Sequence, residues 1–286
     1  PTVTLSSSDA DDIICNGEEV TFTASGATDY QFFVNGLAVQ GPSTTNTFVT
    51  TALADTDAVT VNGINASGCV TTSAAIITTV ENAPGQPTIS TASATECFGN
   101  TVTLTSTLAP GATAGTYRWY KDGVLLPTQT LRNIDLTTVA ESGDYTVEVT
   151  NGDNTAVCYS QLSAPVTVTI NPLPDNTLTV TPSASSVCEG STITFTIAAS
   201  QNGVNYQLFD EADNPFSPIV GGNGASINIT SNTFTALGAD ETITVTATNA
   251  ASGCTDELTD TENITIDVLP TVTLSSSDAD DIICNG

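Results

Sequence analysis

Cysteines are the residues of this chain with the clearest capacity for chemistry, and the seven of them are regularly spaced. Three begin the motif Cys-x-Gly-x-x-[Val/Ile]-Thr-[Phe/Leu]-Thr, and a further copy starts at the last cysteine: Cys15, Cys97, Cys188 and Cys284. The other three each follow an alternating segment, an Asn and a turn: Cys69, Cys158 and Cys254. Histidine and CxxC pairs are absent, so the pattern favours disulfides in an oxidising compartment over a zinc site.

The spacing also shows that the chain is repetitive. Successive motif cysteines are 82, 91 and 96 residues apart, and the run PTVTLSSSDADDIICNG occupies both 1–17 and 270–286. This identity predicts a tandem array with a period of 269 residues, each period holding three diverged units. We define them as repeat 1 (1–84), repeat 2 (85–172) and repeat 3 (173–269), and 270–286 begins the next copy of repeat 1.

Alternation of apolar and polar residues throughout the units predicts β-strands with one buried face. Val20, Phe22 and Ala24 alternate with Thr21 and Thr23, and repeats 2 and 3 show the same pattern. Six or seven such segments per unit, separated by turn signals, are typical of a β-sandwich. The predicted fold class is therefore all-β, with tandem immunoglobulin-like sandwiches arranged end to end as a rod.

Repeat 2 contains the segment LRNIDLTTVAESGDYTVEV, which resembles the E–F region of an immunoglobulin-like domain. Tyr145 has the position of the tyrosine corner, and Trp119 has that of the core tryptophan of strand C. Phe32 and Leu208 occupy the same slot in the other repeats. We assign these four side chains to the core rather than to a ligand site.

The cysteines depart from the immunoglobulin pattern, in which two mid-strand cysteines pair across the core. Cys97 precedes strand B and Cys158 follows the F–G turn, at opposite ends of one sandwich. A strand of seven or eight residues separates those ends by about 25 Å, whereas a disulfide requires Cα atoms about 4.4–6.8 Å apart. The strand order therefore predicts bonds between neighbouring repeats, Cys15–Cys158 and Cys97–Cys254.

The remaining cysteines have predicted partners outside this stretch of sequence. Cys188 would reach the Cys69 equivalent of the following period, Cys69 would reach back to the preceding one, and Cys284 would reach forward. A different strand order would instead allow bonds within each unit. Those alternative pairs are Cys15–Cys69, Cys97–Cys158 and Cys188–Cys254.

The formal charge of −28, from 31 acidic and only 3 basic residues, argues against a nucleic-acid partner and against docking on an anionic membrane. No apolar run is long enough to insert into a membrane. A group of turn carboxylates in repeat 1 could ligate Ca²⁺, or could form a solvated acidic loop: Asp9, Asp11, Asp12, Asp55 and Asp57. No other cofactor is indicated.

Catalysis is not indicated either, because the carboxylates lie on turns of small sandwiches rather than in a sheltered cleft. The units resemble the Cys-x-Gly … Gly-Cys immunoglobulin-like repeats of giant Bacteroidota surface proteins exported by type IX secretion, such as SprB-type gliding-motility adhesins. The matching residues are Cys15–Gly17 with Ser67–Cys69, Cys97–Gly99, and Cys188–Gly190 with Ser252–Cys254, whereas Cys158 departs because Ala156 and Val157 precede it.

This resemblance implies an extracellular, outer-membrane-attached filament that carries adhesive contacts. Its partners would be neighbouring repeats, surface glycans or other extracellular ligands, and the motility and secretion machinery of the envelope. The sequence leaves two alternatives open, a purely structural filament or sheath and a spacer of a secreted enzyme.

Overall fold

The structure is a computed structural model that describes residues 2–110, 115–151, 157–235 and 240–275. Within these ranges the regular structure is β-strand, apart from one 3₁₀ turn at Val139–Glu141. None of the helical structure there has the length and apolar character that a membrane crossing requires. The chain forms two compact units, Pro1–Glu96 with Thr101–Thr169 and Cys97–Asn100 with Ile170–Gly286.

Repeat 1 is a sandwich of short strands in which β3 and β7 are the central strands. One sheet has the order β1-β3-β6, the other has the order β5-β4-β7-β8 with β9 also on β7, and β2 pairs in parallel with β10. The strands are β1 Thr4–Ser7, β2 Ile13–Cys15, β3 Val20–Ser25, β4 Asp29–Val34, β5 Leu37–Ala38, β6 Thr47–Thr50, β7 Ala58–Ile64, β8 Val70–Thr72, β9 Ile76–Ile77 and β10 Thr79–Glu81.

Repeat 2 has the most regular sandwich, with sheets β11-β13-β16 and β12-β18-β17-β14-β15. This is the division of strands that an immunoglobulin-like domain makes between its two sheets. The strands are β11 Thr88–Ser90, β12 Thr95–Cys97, β13 Val102–Thr107, β14 Tyr117–Lys121, β15 Val124–Leu126, β16 Asn133–Leu136, β17 Gly143–Val149 and β18 Val166–Asn171.

Repeat 3 follows the same plan, with sheets β19-β21-β24 and β20-β27-β25-β22-β23, and with β26 on β25. Its strands are β19 Val180–Pro182, β20 Ser186–Cys188, β21 Thr194–Ile197, β22 Val204–Phe209, β23 Val220–Gly221, β24 Ile227–Thr230, β25 Asp240–Asn249, β26 Thr255–Glu257 and β27 Glu262–Asp267. The predicted all-β class of tandem sandwiches is confirmed. The end-to-end rod stays a prediction, as does the division at 1–84, 85–172, 173–269 and 270–286.

Two hairpins show how local sequence sets these strands. The β4–β5 and β14–β15 turns are Asn35-Gly36 and Asp122-Gly123, and all four residues have positive φ between 50° and 76°. Asn-Gly and Asp-Gly are the dipeptides that tolerate two left-handed residues, and the twist of that turn matches the twist of paired strands. The turns therefore set the register of the β4–β5 hairpin in repeat 1 and of the β14–β15 hairpin in repeat 2.

The predicted core slot is occupied in the same way in each repeat. Phe32, Trp119 and Leu208 are all 0% exposed. Each lies opposite a buried valine on the adjacent strand, which is β7, β17 or β25 and corresponds to strand F of an immunoglobulin-like domain. The pairs are Phe32–Val61, Trp119–Val147 and Leu208–Val245. Tyr145, at 1% exposed, is buried as well. These four side chains are core residues.

Core volume is balanced by residues elsewhere in each sandwich. In repeat 1 the ring of Phe48 packs against both Phe22 and Phe32, with centroid distances of 6.2 and 5.8 Å. In repeat 3 the leucine of the slot is accompanied by Phe216 and Phe234, whose rings meet edge to face at 4.9 Å. Smaller side chains in the slot are thus offset by aromatic rings from neighbouring elements.

Candidate functional site

Two disulfides join cysteines of successive repeats. Cys15 is bonded to Cys158 and Cys97 to Cys254, and both pairs have Cα atoms 5.6 Å apart. The pairing that the strand order predicts is therefore present, and these four cysteines form no bond within a single repeat. In both cases the cysteine of a Cys-x-Gly motif is bonded to the cysteine that follows strand F of the next repeat.

The Cys-x-Gly motif forms the same tight turn in all three repeats. The cysteine carbonyl accepts a hydrogen bond from the N–H three residues later, at 2.9–3.1 Å. The glycine at the third position has φ of +85°, +91° and +81° at Gly17, Gly99 and Gly190. Because residues with a Cβ rarely adopt this conformation, the glycine is required where the chain turns after the cysteine.

The cysteine of each Cys-x-Gly motif is also held by the last strand of its own sandwich. Short strands β2 and β20 pair in parallel with β10 and β27, and β12 is hydrogen-bonded to β18. The N–H after the cysteine then donates to the last residue of that strand, in the pairs Asn16–Glu81, Phe98–Asn171 and Glu189–Asp267. The sequence places Cys97 before strand B, and the structure shows that it is the last residue of strand β12.

The cysteine that follows strand F is held by the same backbone hydrogen bond in each repeat. The N–H of Asn65, Asn151 or Asn249 donates to the carbonyl oxygen of Cys69, Cys158 or Cys254, at 2.8–3.1 Å. The asparagine side-chain oxygen accepts N–H groups of the same turn in every repeat. The shared Asn was visible in the sequence, but its role in presenting the cysteine was not.

Side-chain hydrogen bonds accompany the disulfide between repeats 1 and 2, inside a single compact unit. The Asn151 Nδ2 group donates to the Glu81 carboxylate, and Gln86 Nε2 donates to the carbonyl oxygen of Leu162. Nothing in the sequence signals these contacts, because their partners are more than 65 residues apart. The Asn151 bond joins repeat 2 to strand β10 of repeat 1, and the Gln86 bond holds the first residues of repeat 2 against its own segment around Leu162.

Cys69 and Cys188 are exposed and form no disulfide with any cysteine of the described ranges. Their backbone frames match those of the bonded cysteines, since Cys188 ends β20 as Cys97 ends β12, and Cys69 is held by Asn65 as Cys158 is held by Asn151. Cys284 lies outside the described residues. The predicted partners of these three cysteines in adjacent periods stay predictions.

Four of the five candidate calcium ligands of repeat 1 accept internal hydrogen bonds through at least one carboxylate oxygen. Asp9 Oδ1, Asp11 Oδ1 and Asp55 Oδ1 accept backbone N–H groups, and Asp57 accepts from Asn35 Nδ2 at 2.6 Å and from the Ala54 N–H at 2.8 Å. Asp12 Oδ1 is buried without a hydrogen-bond partner. No three Asp, Glu or Cys side chains of the described ranges come together as a possible metal site.

Tyr145 and Glu141 form the tyrosine corner of repeat 2. The phenolic hydroxyl of Tyr145 donates to the carbonyl oxygen of Glu141 at 2.6 Å. Burial, together with the charges of Glu141 and Asp122, raises the pKa of Tyr145 to about 12. Burial of the Glu141 carboxylate opposes its ionisation, but hydrogen bonds from Thr137 and Thr138 outweigh this effect, so the pKa of Glu141 is lowered. The corner therefore holds Tyr145 neutral and Glu141 ionised.

Residues 84–172 match the family described as "Ig-like domain CHU_C associated". Repeat 2 is thus an immunoglobulin-like domain, and repeats 1 and 3 have the same strand plan. No curated protein matches the chain.

Several solved structures are similar to the chain over most of its length. The three N-terminal domains of the bacteriophage RB49 Highly Immunogenic Outer Capsid protein (Hoc) are 14% identical, with 94% of this chain and 99% of that chain covered and a TM-score of 0.33. A structure of a 1.5-MDa bacterial ice-binding adhesin is 16% identical, with 93% and 97% covered and a TM-score of 0.31. The FN1–FN3 domains of chicken CNTN1 are 14% identical, with 92% and 98% covered and a TM-score of 0.32.

Disulfides are a property of proteins that fold in oxidising, mostly extracellular, environments. Two of them, between repeats of an immunoglobulin-like array, indicate an extracellular protein of repetitive, structural type.

Proposed function

We propose that this chain is a repetitive stalk segment of a giant cell-surface adhesin, without catalytic activity or a required cofactor. The observation that carries the proposal is the covalent bonding of each repeat to its neighbour through Cys15–Cys158 and Cys97–Cys254. A catalytic domain has no need for such bonds at its boundaries. A long extracellular stalk does, because it must keep its modules attached to one another outside the cell.

The array continues across periods in the same manner. The identical runs at 1–17 and 270–286 support a following copy, and the matched frames of Cys188 and Cys69 support a third type of bond, from Cys188 of one period to Cys69 of the next. Every cysteine of a 269-residue period then has one partner. Isolation of the native protein and Asp/Glu-directed cleavage without reduction would yield a peptide joining Cys69 to Cys188. Finding both as thiols in that material would refute the bond.

The finer identity of the proposed adhesin rests on the Bacteroidota resemblance. The Cys-x-Gly and Gly-Cys motifs, together with the family match over 84–172, support a type IX-secreted protein of gliding motility or surface attachment. Its partners would be glycans or other extracellular ligands at the far end of the stalk, and the motility machinery at the near end. The charge of −28 supports this setting, because neighbouring filaments repel one another and stay separate.

An antibody raised against residues 1–286 and applied to living cells of the source organism tests the proposal. Label that travels along the cell body is the expected result, with a strain lacking the gene as the control. Label that stays fixed on the surface would replace the motile adhesin by a static adhesin or a sheath. Label found only in the medium would overturn the surface adhesin and favour the spacer of a secreted enzyme.

A further inference from the structure

The two disulfides interleave along the chain rather than following one another. Cys15–Cys158 spans 143 residues and Cys97–Cys254 spans 157. Cys97 lies inside the loop that Cys15–Cys158 closes, whereas its partner Cys254 lies outside that loop. Interleaved bonds create covalent shortcuts between the two ends of a chain. The shortest covalent path from residue 1 to residue 286 is therefore not the backbone.

We propose that these shortcuts make the chain a tension-bearing element of limited length. The shortest path runs along 1–15, crosses to Cys158, returns along the backbone to Cys97, crosses to Cys254 and ends along 254–286. We call it the load path. Segments 16–96 and 159–253 lie off the load path, but they join the same two disulfides as segment 97–158, so all three segments share a pull on the ends until 97–158 is fully extended.

The saving in length is large. A fully extended chain spans about 3.5 Å per residue, so 286 residues reach about 1,000 Å. The load path contains about 110 residues and reaches about 400 Å. The bonds thus withhold about 600 Å of extension even when every strand has opened.

The load path limits the final length, but it spares none of the three sandwiches. Three segments run in parallel between the two disulfides, and they hold strands β3 to β10 of repeat 1, β13 to β17 of repeat 2 and β19 to β25 of repeat 3. A folded sandwich shortens its segment, so the two disulfides can separate to the extended length of 97–158 only after all three sandwiches have opened.

The length limit depends on the two disulfides alone, whereas its use as a load-bearing stalk rests on the proposed function. With the additional Cys188–Cys69 bonds, two successive periods would contribute about 90 residues to the load path in place of 538. The array could then transmit a pull over many periods with little gain in length when repeats open.

Single-molecule stretching of the 286-residue chain by its two ends tests the inference. The oxidised protein should reach about 400 Å, because the two disulfides cannot separate by more than about 200 Å, the extended length of segment 97–158. After reduction it should reach about 1,000 Å, with three steps of about 300 Å. An oxidised chain that reaches the reduced length, with both bonds verified by mass spectrometry, would overturn the proposal.

Paired serine variants provide matched controls, because each removes one shortcut. Cys15→Ser/Cys158→Ser should reach about 450 Å and open repeat 1, and Cys97→Ser/Cys254→Ser should reach about 500 Å and open repeat 3. Cys69→Ser/Cys188→Ser should behave as the unchanged oxidised chain. The test is independent of the antibody experiment. A length limit without surface label would support the mechanical inference and refute the adhesin. Surface label without a length limit would support the adhesin and refute the mechanical inference.

Discussion

The hydroxyl of Tyr145 and the carbonyl oxygen of Glu141 are 2.6 Å apart. Glu141 is the last residue of the 3₁₀ turn Val139–Glu141 in repeat 2. The Glu141 carboxylate in turn accepts from Thr137 and Thr138, which closes the turn from the other side. The buried Tyr145 hydroxyl thus depends on the Glu141 carbonyl oxygen for its hydrogen bond, and this dependence can be measured.

We expect Tyr145→Phe to lower the free energy of unfolding of repeat 2 by about 1–3 kcal/mol, because the Glu141 carbonyl oxygen loses its buried donor. Chemical denaturation followed by Trp119 fluorescence reports on this repeat, since Trp119 is the single tryptophan. Tyr159→Phe is the matched control, because Tyr159 is exposed and its hydroxyl donates to no group in the described ranges. Equal effects of the two variants would contradict the corner's role.

Alkaline pH should weaken the fold through Tyr145. Its folded pKa of about 12 lies above the ordinary value of 10.0, so the neutral hydroxyl is favoured in the folded state. This contribution is complete below pH 10 and is lost as pH rises towards 12. Denaturation midpoints measured across that range should fall more steeply for the unchanged protein than for Tyr145→Phe. Tyr120 and Tyr206 also have raised pKa values, but both proteins retain them, so parallel curves would contradict the prediction.

Two buried serines of repeat 2 should respond in opposite directions to loss of their hydroxyl. Ser106 Oγ is buried without a hydrogen-bond partner, whereas Ser163 Oγ accepts the Val147 N–H at 3.1 Å. Ser106→Ala removes an unpaired polar atom and should raise the free energy of unfolding by about 1 kcal/mol. Ser163→Ala orphans a buried N–H and should lower it by about 1–3 kcal/mol. Denaturation curves that shift the same way in both variants would refute the assignment.

Loss of the Cys15–Cys158 bond should reduce stability, because the unfolded chain regains the freedom of a 143-residue loop. For Cys15→Ser/Cys158→Ser we expect a loss of about 2–5 kcal/mol, measured by thermal or urea unfolding under oxidising conditions. Cys69→Ser/Cys188→Ser removes two exposed thiols and no bond within the chain, so it should remain within about 0.5 kcal/mol of the unchanged protein. A larger effect of this control would show that the stability change comes from the substitution itself.

Calcium should leave the melting temperature unchanged. Ca²⁺ takes six to eight oxygen ligands, whereas no three Asp, Glu or Cys side chains of the described ranges come together. Thermal unfolding with millimolar Ca²⁺ and with a chelator provides the measurement, and Mg²⁺ serves as the ionic control. A rise in melting temperature specific to Ca²⁺ would restore repeat 1 as a calcium site.

Local spacing was sufficient to predict the parts of the fold that repeat in each unit. The slot of Phe32, Trp119 and Leu208 follows from the aligned segments Tyr-Gln-Phe, Tyr-Arg-Trp and Tyr-Gln-Leu, and the structure places all three opposite strand F. The Cys15–Cys158 and Cys97–Cys254 bonds follow from the direction of the strands, because strand order determines which ends of a sandwich the cysteines occupy.

Other features depend on contacts that no short pattern contains. Strands β2, β12 and β20 have three residues each, too few to show an alternation, and they exist because the last strand of the sandwich pairs with them. The packing of Phe48 against Phe32, and the bond from Asn151 to Glu81, join residues distant in sequence. The sequence shows these residues but does not show which of them meet.

The interleaved bonds also change what a protease can do to the molecule. Between Cys15 and Cys254, every stretch of backbone is bypassed by a route through one or both disulfides. One nick anywhere in that interval therefore opens a loop but leaves the two fragments covalently attached. A surface protein exposed to the enzymes of its surroundings would tolerate single cleavages without shedding its distal part, provided that its cystines stay oxidised.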